Sequence, residues 1–319
     1  MRTWLPALLI IFSGLDALAQ EPWPSRPVTL IVPHAAGVTP DVVARILAER
    51  LAAPFGQPVV VINRPGSNGL IGGEAAARSR PDGHTLLIGD DALVTISPHL
   101  YPSMTFSPEK DFVPILSLVE NQFFLVVRPD LPVTNLQSFF EYARQANPAL
   151  AYGSNGQGSQ SHLTMERLRG LAGVELLHVP YRTASQSATA IVTGEISVAF
   201  IGSSALSLVR SGKLRALAST GPMQSKSFPD VPPLNRSYPG FEMTNWQGLF
   251  APAGTPQPIL ARIEQEVRAI LTAEGLQERL AGGSDLRILL LGAAEFTQRI
   301  RRDSDRYREI VDRLGLKID

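Results

Sequence analysis

Short apolar runs alternate along the chain with amphipathic stretches. Val28–Val32 (VTLIV) is a continuous apolar run of the kind a buried strand requires, and 41–52 (DVVARILAERLA) after it sets Val42, Val43, Ile46, Leu47 and Leu51 on one helical stripe. The alternation continues. Strands are predicted at 58–62, 85–89, 123–127, 174–179, 197–201, 214–219 and 248–251, with another ending at Ala151-Tyr152. Helices are predicted at 70–79, 136–146, 162–172, 184–192, 204–210, 257–272 and 294–314, with a turn at 63–68 (NRPGSN). This order predicts an α/β protein with mostly parallel sheets and flanking helices. At 319 residues it suits two lobes better than one.

Composition narrows the function. Lys and Arg total 29 and so do Asp and Glu, which leaves no net charge for counterion-driven nucleic-acid binding. Hydrophobic residues at 44% supply a core, and 26 glycines with 26 prolines predict many tight loops. Cysteine is absent, which excludes disulfides, thiolate nucleophiles and Cys-ligated metals. Arg2, a mostly apolar stretch over 5–15 and Ala17-Leu18-Ala19 predict a signal peptide cleaved after Ala19. That apolar core falls well short of the roughly 20 residues a membrane span needs, so an exported, unanchored protein is expected.

Two loops carry candidate chemistry. PHAAGVTPD, 33–41, lies between a strand and a helix, with Thr39 the expected N-cap, Pro40 at the first helical position and Asp41 complementing the helix dipole. GSNGQGSQSH, 153–162, repeats the arrangement with Ser159 as N-cap. Small residues before a helix N-terminus make either an ordinary turn or a seat for a carboxylate or phosphate. Neither loop is a nucleotide motif: Gly156-Gln157-Gly158 lacks the third glycine of GxGxxG, and Gly212-Lys213 precedes Leu214. There is no GxSxG, and His34, His84, His99, His162 and His178 show no HExxH or paired metal spacing. Ser161 and His162 are adjacent, and neighbours on a helix point about 100° apart, which disfavours a nucleophile–base pair.

At these loops the chain resembles the periplasmic solute-binding proteins of the tripartite tricarboxylate transporters, the Bug or TctC family. The markers run in order over the whole exported chain: PSRP (24–27) before VTLIVPHAAG, GQPVVVINRPGSNGLIG (56–72), PDGHTLLIG (81–89), SPHLY (97–101), Tyr152-Gly153-Ser154 with GSQSHL (158–163), HVPYR (178–182), SGKLRALA (211–218) and WQGLFAPAGTP (246–256). The resemblance implies a two-lobed, hinged type II periplasmic binding fold, or Venus flytrap. Residues 1–19 would be the signal peptide, 20–121 plus 244–319 the first lobe and 122–243 the second, with crossovers near Asn121-Gln122 and Met243-Thr244. It implies a small organic acid in the cleft, held largely by backbone amides. Carried over by position, the first-lobe set is His34, Ala35, Ala36, Gly37, Val38, Asp41, Ser67 and Asn68. The second-lobe set is Ser154, Asn155, Ser159, Gln160, Ser161 and His162, with Tyr181 and Arg182 nearby.

No catalytic residue, cofactor or metal is implied. The expected partners are the membrane subunits of a tripartite transporter, served by a monomer in the periplasm. Two alternatives have distinct tests: a sensor subunit reporting an organic acid, and an exported hydrolase using Ser159 or Ser161 with His162. Two departures from the family pattern imply an altered ligand preference. Gly37-Val38-Thr39-Pro40 stands where the family runs glycines, and Val38 does not adopt positive φ cheaply, so a changed loop is expected. Ile201-Gly202-Ser203 stands where an Asp-Asn pair is usual, making that part of the cleft less polar.

Overall fold

The computed structural model describes residues 23–202, 206–281 and 285–318. The predicted signal segment with its cleavage site, Ser203 and the start of the helix expected from 204 lie outside these residues. The strands are β1 (Val28–Val32), β2 (Val59–Asn63), β3 (Thr85–Asp90), β4 (Phe112–Gln122), β5 (Phe124–Val127), β6 (Ala151–Ser154), β7 (Leu177–Pro180), β8 (Val198–Ile201), β9 (Arg215–Ser219), β10 (Thr244–Pro252) and β11 (Arg287–Ile288). The helices are α1 (Thr39–Phe55), α2 (Leu70–Ala77), α3 (Ser97–Leu100), α4 (Pro108–Asp111), α5 (Leu136–Gln145), α6 (Gln160–Ala172), α7 (Ala184–Val192), α8 (Leu206–Arg210), α9 (Gln257–Leu271), α10 (Leu276–Ala281) and α11 (Ala293–Leu314).

They form two sheets, one of order β11-β4-β10-β3-β1-β2 and one of order β7-β6-β8-β5-β9. Parallel pairing, expected for most of the sheet, is confined to the strand–helix–strand units: β1 with β2 and β3, and β6 with β7 and β8. The strands that carry the chain between sheets pair antiparallel, β10 with β3 and β4, and β5 with β8 and β9. The physical reason is direction: the chain leaves the first sheet along β4 and comes back along β10, so these two must run oppositely. The chain passes from Gln122 to Phe124 between sheets and re-enters the first at Thr244.

The eleven-residue β4 escapes the apolar-run criterion because Pro114, Ser117, Glu120, Asn121 and Gln122 interrupt it. Of these, Ser117, Glu120 and Gln122 are buried, and distant residues meet them. Ser117 Oγ accepts the Leu291 N–H at 2.7 Å, and Glu120 accepts the Thr244 hydroxyl at 2.9 Å while pairing with Arg287. A sequence window contains none of those partners.

The first sheet packs Leu30, Val32, Leu86 and Ile88 against Val43, Leu47 and Leu51 of α1 and Ile263 and Val267 of α9. Its other face holds Trp246, Phe250 and Phe296. The C-terminal helix α11 serves both halves. Phe296 belongs to that aromatic cluster, whereas Tyr307, Ile310 and Val311, three turns on, belong to the core of the second sheet with Tyr152, Leu163 and Leu168. Between these contacts Arg299 is buried and bonds Asp303 (2.6 Å), Glu242 (2.5 Å) and the Thr244 hydroxyl (2.9 Å), while Trp246 Nε1 donates to Asp303 at 3.0 Å. Burial opposes the Arg299 charge, but Asp303 and Glu242 outweigh it and raise its pKa further. Removing the cation takes the closest charge partner from the buried Asp303 and from the half-buried Glu242, and leaves Asp303 with Arg306 and the Trp246 N–H. Arg299→Met is expected to lower unfolding free energy by about 3–5 kcal/mol, read from the urea midpoint.

Candidate functional site

The loops that follow β1, β2 and β3 gather at the carboxyl ends of these parallel strands, where open α/β sheets place their ligands. Facing them is the loop between β6 and α6. Together they enclose a cavity of about 350 Å³. Pro33, His34 and Ala35 line it from the first loop, Pro65, Gly66, Asn68 and Gly69 from the second, and Asp90, Ala92, Ile96 and Ser97 from the third, with Leu100 and Tyr101. Asn155, Gln157, Gly158, Ser159 and Gln160 close it from the other half. The two sides touch closely. Gly158 has φ +73°, and a Cβ there would lie 2.6 Å from Leu100 Cδ1, so glycine is required both by backbone and by contact.

The first-loop conformation differs from that expected. Positive φ falls on Gly37 (+86°), while Val38 is extended, 44% exposed and outside the cavity, so its β-branch creates no strain. Val38 is also the N-cap of α1, its carbonyl accepting the Val42 N–H at 3.0 Å, which makes Thr39 the first helical residue and not the cap. No side chain caps the helix; Asp41, inside its first turn, instead reaches back to the loop and accepts the Gly37 N–H at 2.8 Å, Arg45 Nε at 2.9 Å and Asn63 Nδ2 at 2.9 Å. The Arg45 bond, aided by those from Gly37 and Asn63, outweighs burial and lowers its pKa to about 2. Asp41 therefore locks the loop and does not face a ligand. Ala36, Gly37, Val38 and Ser67 likewise lie off the cavity wall. Ser67 and Asn68 both take left-handed φ, +46° and +51°, and Asn68 Nδ2 donates to the Tyr101 hydroxyl.

In the facing loop Ser159 caps α6 as expected, accepting the His162 N–H at 3.3 Å. Three expected contact residues prove to be internal braces. Ser154 Oγ lies 2.7 Å from His178 Nε2, Ser161 Oγ accepts the Asn155 N–H at 3.1 Å, and His162 Nδ1 accepts the Gly158 N–H at 3.0 Å. The hydrolase arrangement is thus not assembled: Ser161 and His162 each bond backbone, not one another. Behind the loop the His162 and His178 rings stack at 3.9 Å and 8°, with Tyr152 at 4.9 Å from His178. Burial, reinforced by His178, lowers the His162 pKa to about 4, and burial lowers His178 as well, so both rings are neutral at pH 7. Tyr181 and Arg182 lie outside the cavity, by a separate depression on the second half. The reason is topological. They follow β7, the edge strand, whereas the cavity loop follows β6 one strand inward.

Gln160 lines the cavity yet sends its amide away from it, to the fully buried Asp91, to the Thr244 carbonyl (2.9 Å) and to the Tyr307 hydroxyl (2.9 Å). Asn245 Nδ2 donates to the other Asp91 oxygen at 2.7 Å. Burial, with Asp90 and Asp303 nearby, raises Asp91 well above the carboxylate range. Sequence reasoning missed Asp90, Asp91 and the 92–101 wall. The tandem acid at the end of a predicted strand, just before SPHLY, was the available signal.

What remains for a ligand is chiefly backbone. The first-turn N–H groups of α6, at Gln160 and Ser161, have no intrahelical acceptor by the geometry of a helix start, and the dipole adds positive potential there. Because the folded state holds His162 neutral, its contribution to stability is full above the unfolded pKa near 6.5 and is lost as pH falls towards 4. The thermal midpoint is expected to fall over pH 6.5 to 4, and to fall less steeply in His162→Gln.

Residues 43–316 match the profile of the tripartite tricarboxylate transporter family receptor. Protein BugT of Bordetella pertussis is 32% identical over 86% of this chain and 85% of its own. Among solved structures, MatC of Rhodopseudomonas palustris with bound malate superposes with a TM-score of 0.73 at 30% identity, covering 91% of this chain and all of that one. An R. palustris protein solved with adipate gives 0.78 at 28%, covering 93% of this chain and all of that one.

Proposed function

Since the chain belongs to the tripartite tricarboxylate transporter receptor family, whose members are periplasmic solute-binding proteins and not enzymes, we propose that it captures a small organic acid in the cavity between its two sheets and delivers it to the membrane subunits of such a transporter. The observation that carries this reading is the cavity itself, in which the α6 N-terminus faces the β1, β2 and β3 loops. The malate and adipate of the two similar structures support an acid as ligand. Hydrogen bonds to a charged acceptor contribute roughly 1.5–3 kcal/mol each, so four would supply about 6–12 kcal/mol, against about 8 for a micromolar Kd. Backbone donors are sufficient for such an affinity.

In this reading residues 20–121 with 244–319 form one lobe, 122–243 the other, and the crossings near 121–122 and 243–244 are the hinge. The signal peptide is removed after Ala19 and the protein acts as a monomer. Ligand binding favours the closed arrangement, which the membrane partner then reads.

A thermal-shift screen of the exported protein, refolded to strip bound ligand, tests this. An acid at 100 times its Kd is expected to stabilise the fold by about 2.7 kcal/mol, and to be recovered chemically unchanged. A panel of mono-, di- and tricarboxylates, acidic amino acids and aromatic acids that leaves the midpoint unmoved would refute it.

A further inference from the structure

The organic-acid reading above is the premise, and the cavity wall narrows it to a ligand class. An imidazole and a carboxyl line the cavity, and they face each other. His34 Nε2 stands 2.9 Å from Asp90 Oδ2, close enough for an ion pair although not aligned as a hydrogen bond. Asp90 is almost fully buried, with Oδ1 accepting the Leu93 N–H at 2.9 Å. The imidazole is 30% exposed. Among the described residues no Lys or Arg lines the cavity, so the wall offers one cation and one anion.

The other groups packed around His34 add no further charge. Asp41 and Arg45 of α1 pair with each other and reach it only through Asn63, whose Nδ2 donates to the His34 carbonyl at 3.1 Å. Tyr101, beyond α3, is bonded to Asn68, and Asp91, the neighbour of Asp90, to Gln160 and Asn245. The facing loop contributes Asn155, Gln157, Ser159 and Gln160, all neutral. Ala92, Ile96 and Leu100 form the apolar part of the wall.

We propose that His34, paired with Asp90 on the cavity wall, selects the ligand, and that the ligand is a monocarboxylate with an apolar body. Its carboxylate meets the imidazolium and the first-turn amides of α6, and its hydrocarbon lies along Ile96 and Leu100. A second carboxylate would be desolvated beside Asp90 with no cation to meet it, a heavy cost for a buried charge. Burial pulls His34 towards neutrality, but the charge of Asp90 outweighs it and holds the imidazole above the ordinary histidine range. Anion affinity is therefore full at pH 6 and declines as pH rises through that elevated value.

Calorimetric titration with hexanoate, benzoate, hexanamide, adipate and citrate at pH 6 and pH 9 tests the proposal; hexanoate and benzoate are almost fully ionised at both, hexanamide is neutral throughout, and adipate and citrate keep part of their last proton at pH 6, so their comparison with hexanoate is made at both pH values. Hexanoate is expected to bind about tenfold more tightly than adipate, hexanamide to bind weakly, and hexanoate to lose about tenfold at pH 9, the difference between a charge-assisted and a neutral hydrogen bond. In His34→Gln, hexanoate affinity at pH 6 should match that of the native protein at pH 9, with no further pH dependence. Adipate or citrate binding as tightly as hexanoate would overturn the proposal while leaving the organic-acid reading intact. So would a native protein whose hexanoate affinity is flat with pH, a result that does not depend on the variant folding. If none of these acids binds, nor any in the wider panel, the organic-acid reading itself falls, and this one with it.

Discussion

A carboxyl with no exposure to solvent, Asp91, is stable where it stands because the Gln160 amide reaches it from the other half of the molecule. The same amide meets the Thr244 carbonyl and the Tyr307 hydroxyl, and Asn245 completes the carboxyl. Each buried polar group left without a partner costs about 1–3 kcal/mol, so these groups hold one another in place. They also bring four distant parts of the chain to one point: the end of β3, the start of α6, the start of β10 and the last turns of α11. The cavity borders this point. Its third-loop wall begins one residue before Asp91, and its facing wall ends at Gln160. The shape of the binding site is therefore set by the same cluster that joins the two sheets.

Around the cavity, side chains and backbone have exchanged the roles a motif reading gives them. Asp41, Ser154, Ser161 and His162, polar residues of the two loops, are each engaged in holding backbone or a neighbouring ring. This braces the loops on both sides of the cavity. Rigidity matters energetically, since a preformed set of donors does not have to be ordered when the ligand arrives. It also separates shape from selectivity: backbone amides recognise any anion, so discrimination between acids falls to the few side chains that do reach the wall.

Much of this architecture was legible in the chain. Apolar runs located β1, β3 and β5, and the helical stripe located α1, because their burial is encoded within a few residues. Ser159 was identifiable as a cap because capping is local. Thr39 was misread as a cap because the helix starts one residue earlier, on the Val38 carbonyl, which a propensity rule does not distinguish. β4 was invisible because Ser117 and Glu120 are satisfied only by Leu291, Arg287 and Thr244, far away in sequence. Tyr181 and Arg182 are expected near the ligand because the family resemblance carries them over by position, but whether the strand before them is inner or edge is settled by pairing that the sequence does not display.

Asp90 and Asp91 show the same limit in chemical form. Adjacent in sequence and both buried, they begin with the same reference pKa, and two carboxylates so close disfavour ionising together. The fold resolves this by giving them different neighbours. Burial raises Asp90, but His34 together with the Leu93 N–H outweighs it and lowers its pKa; Asp91 meets amides and a phenol, and burial with the Asp90 charge raises it. Ionisation of one reinforces protonation of the other. The neutral member can then serve the junction between the sheets, where an unpaired charge would be intolerable, while the ionised member turns a single histidine into the one cation exposed on the cavity wall among the described residues. A junction and a recognition element are thereby built from two consecutive residues, and a change to either would be felt at both.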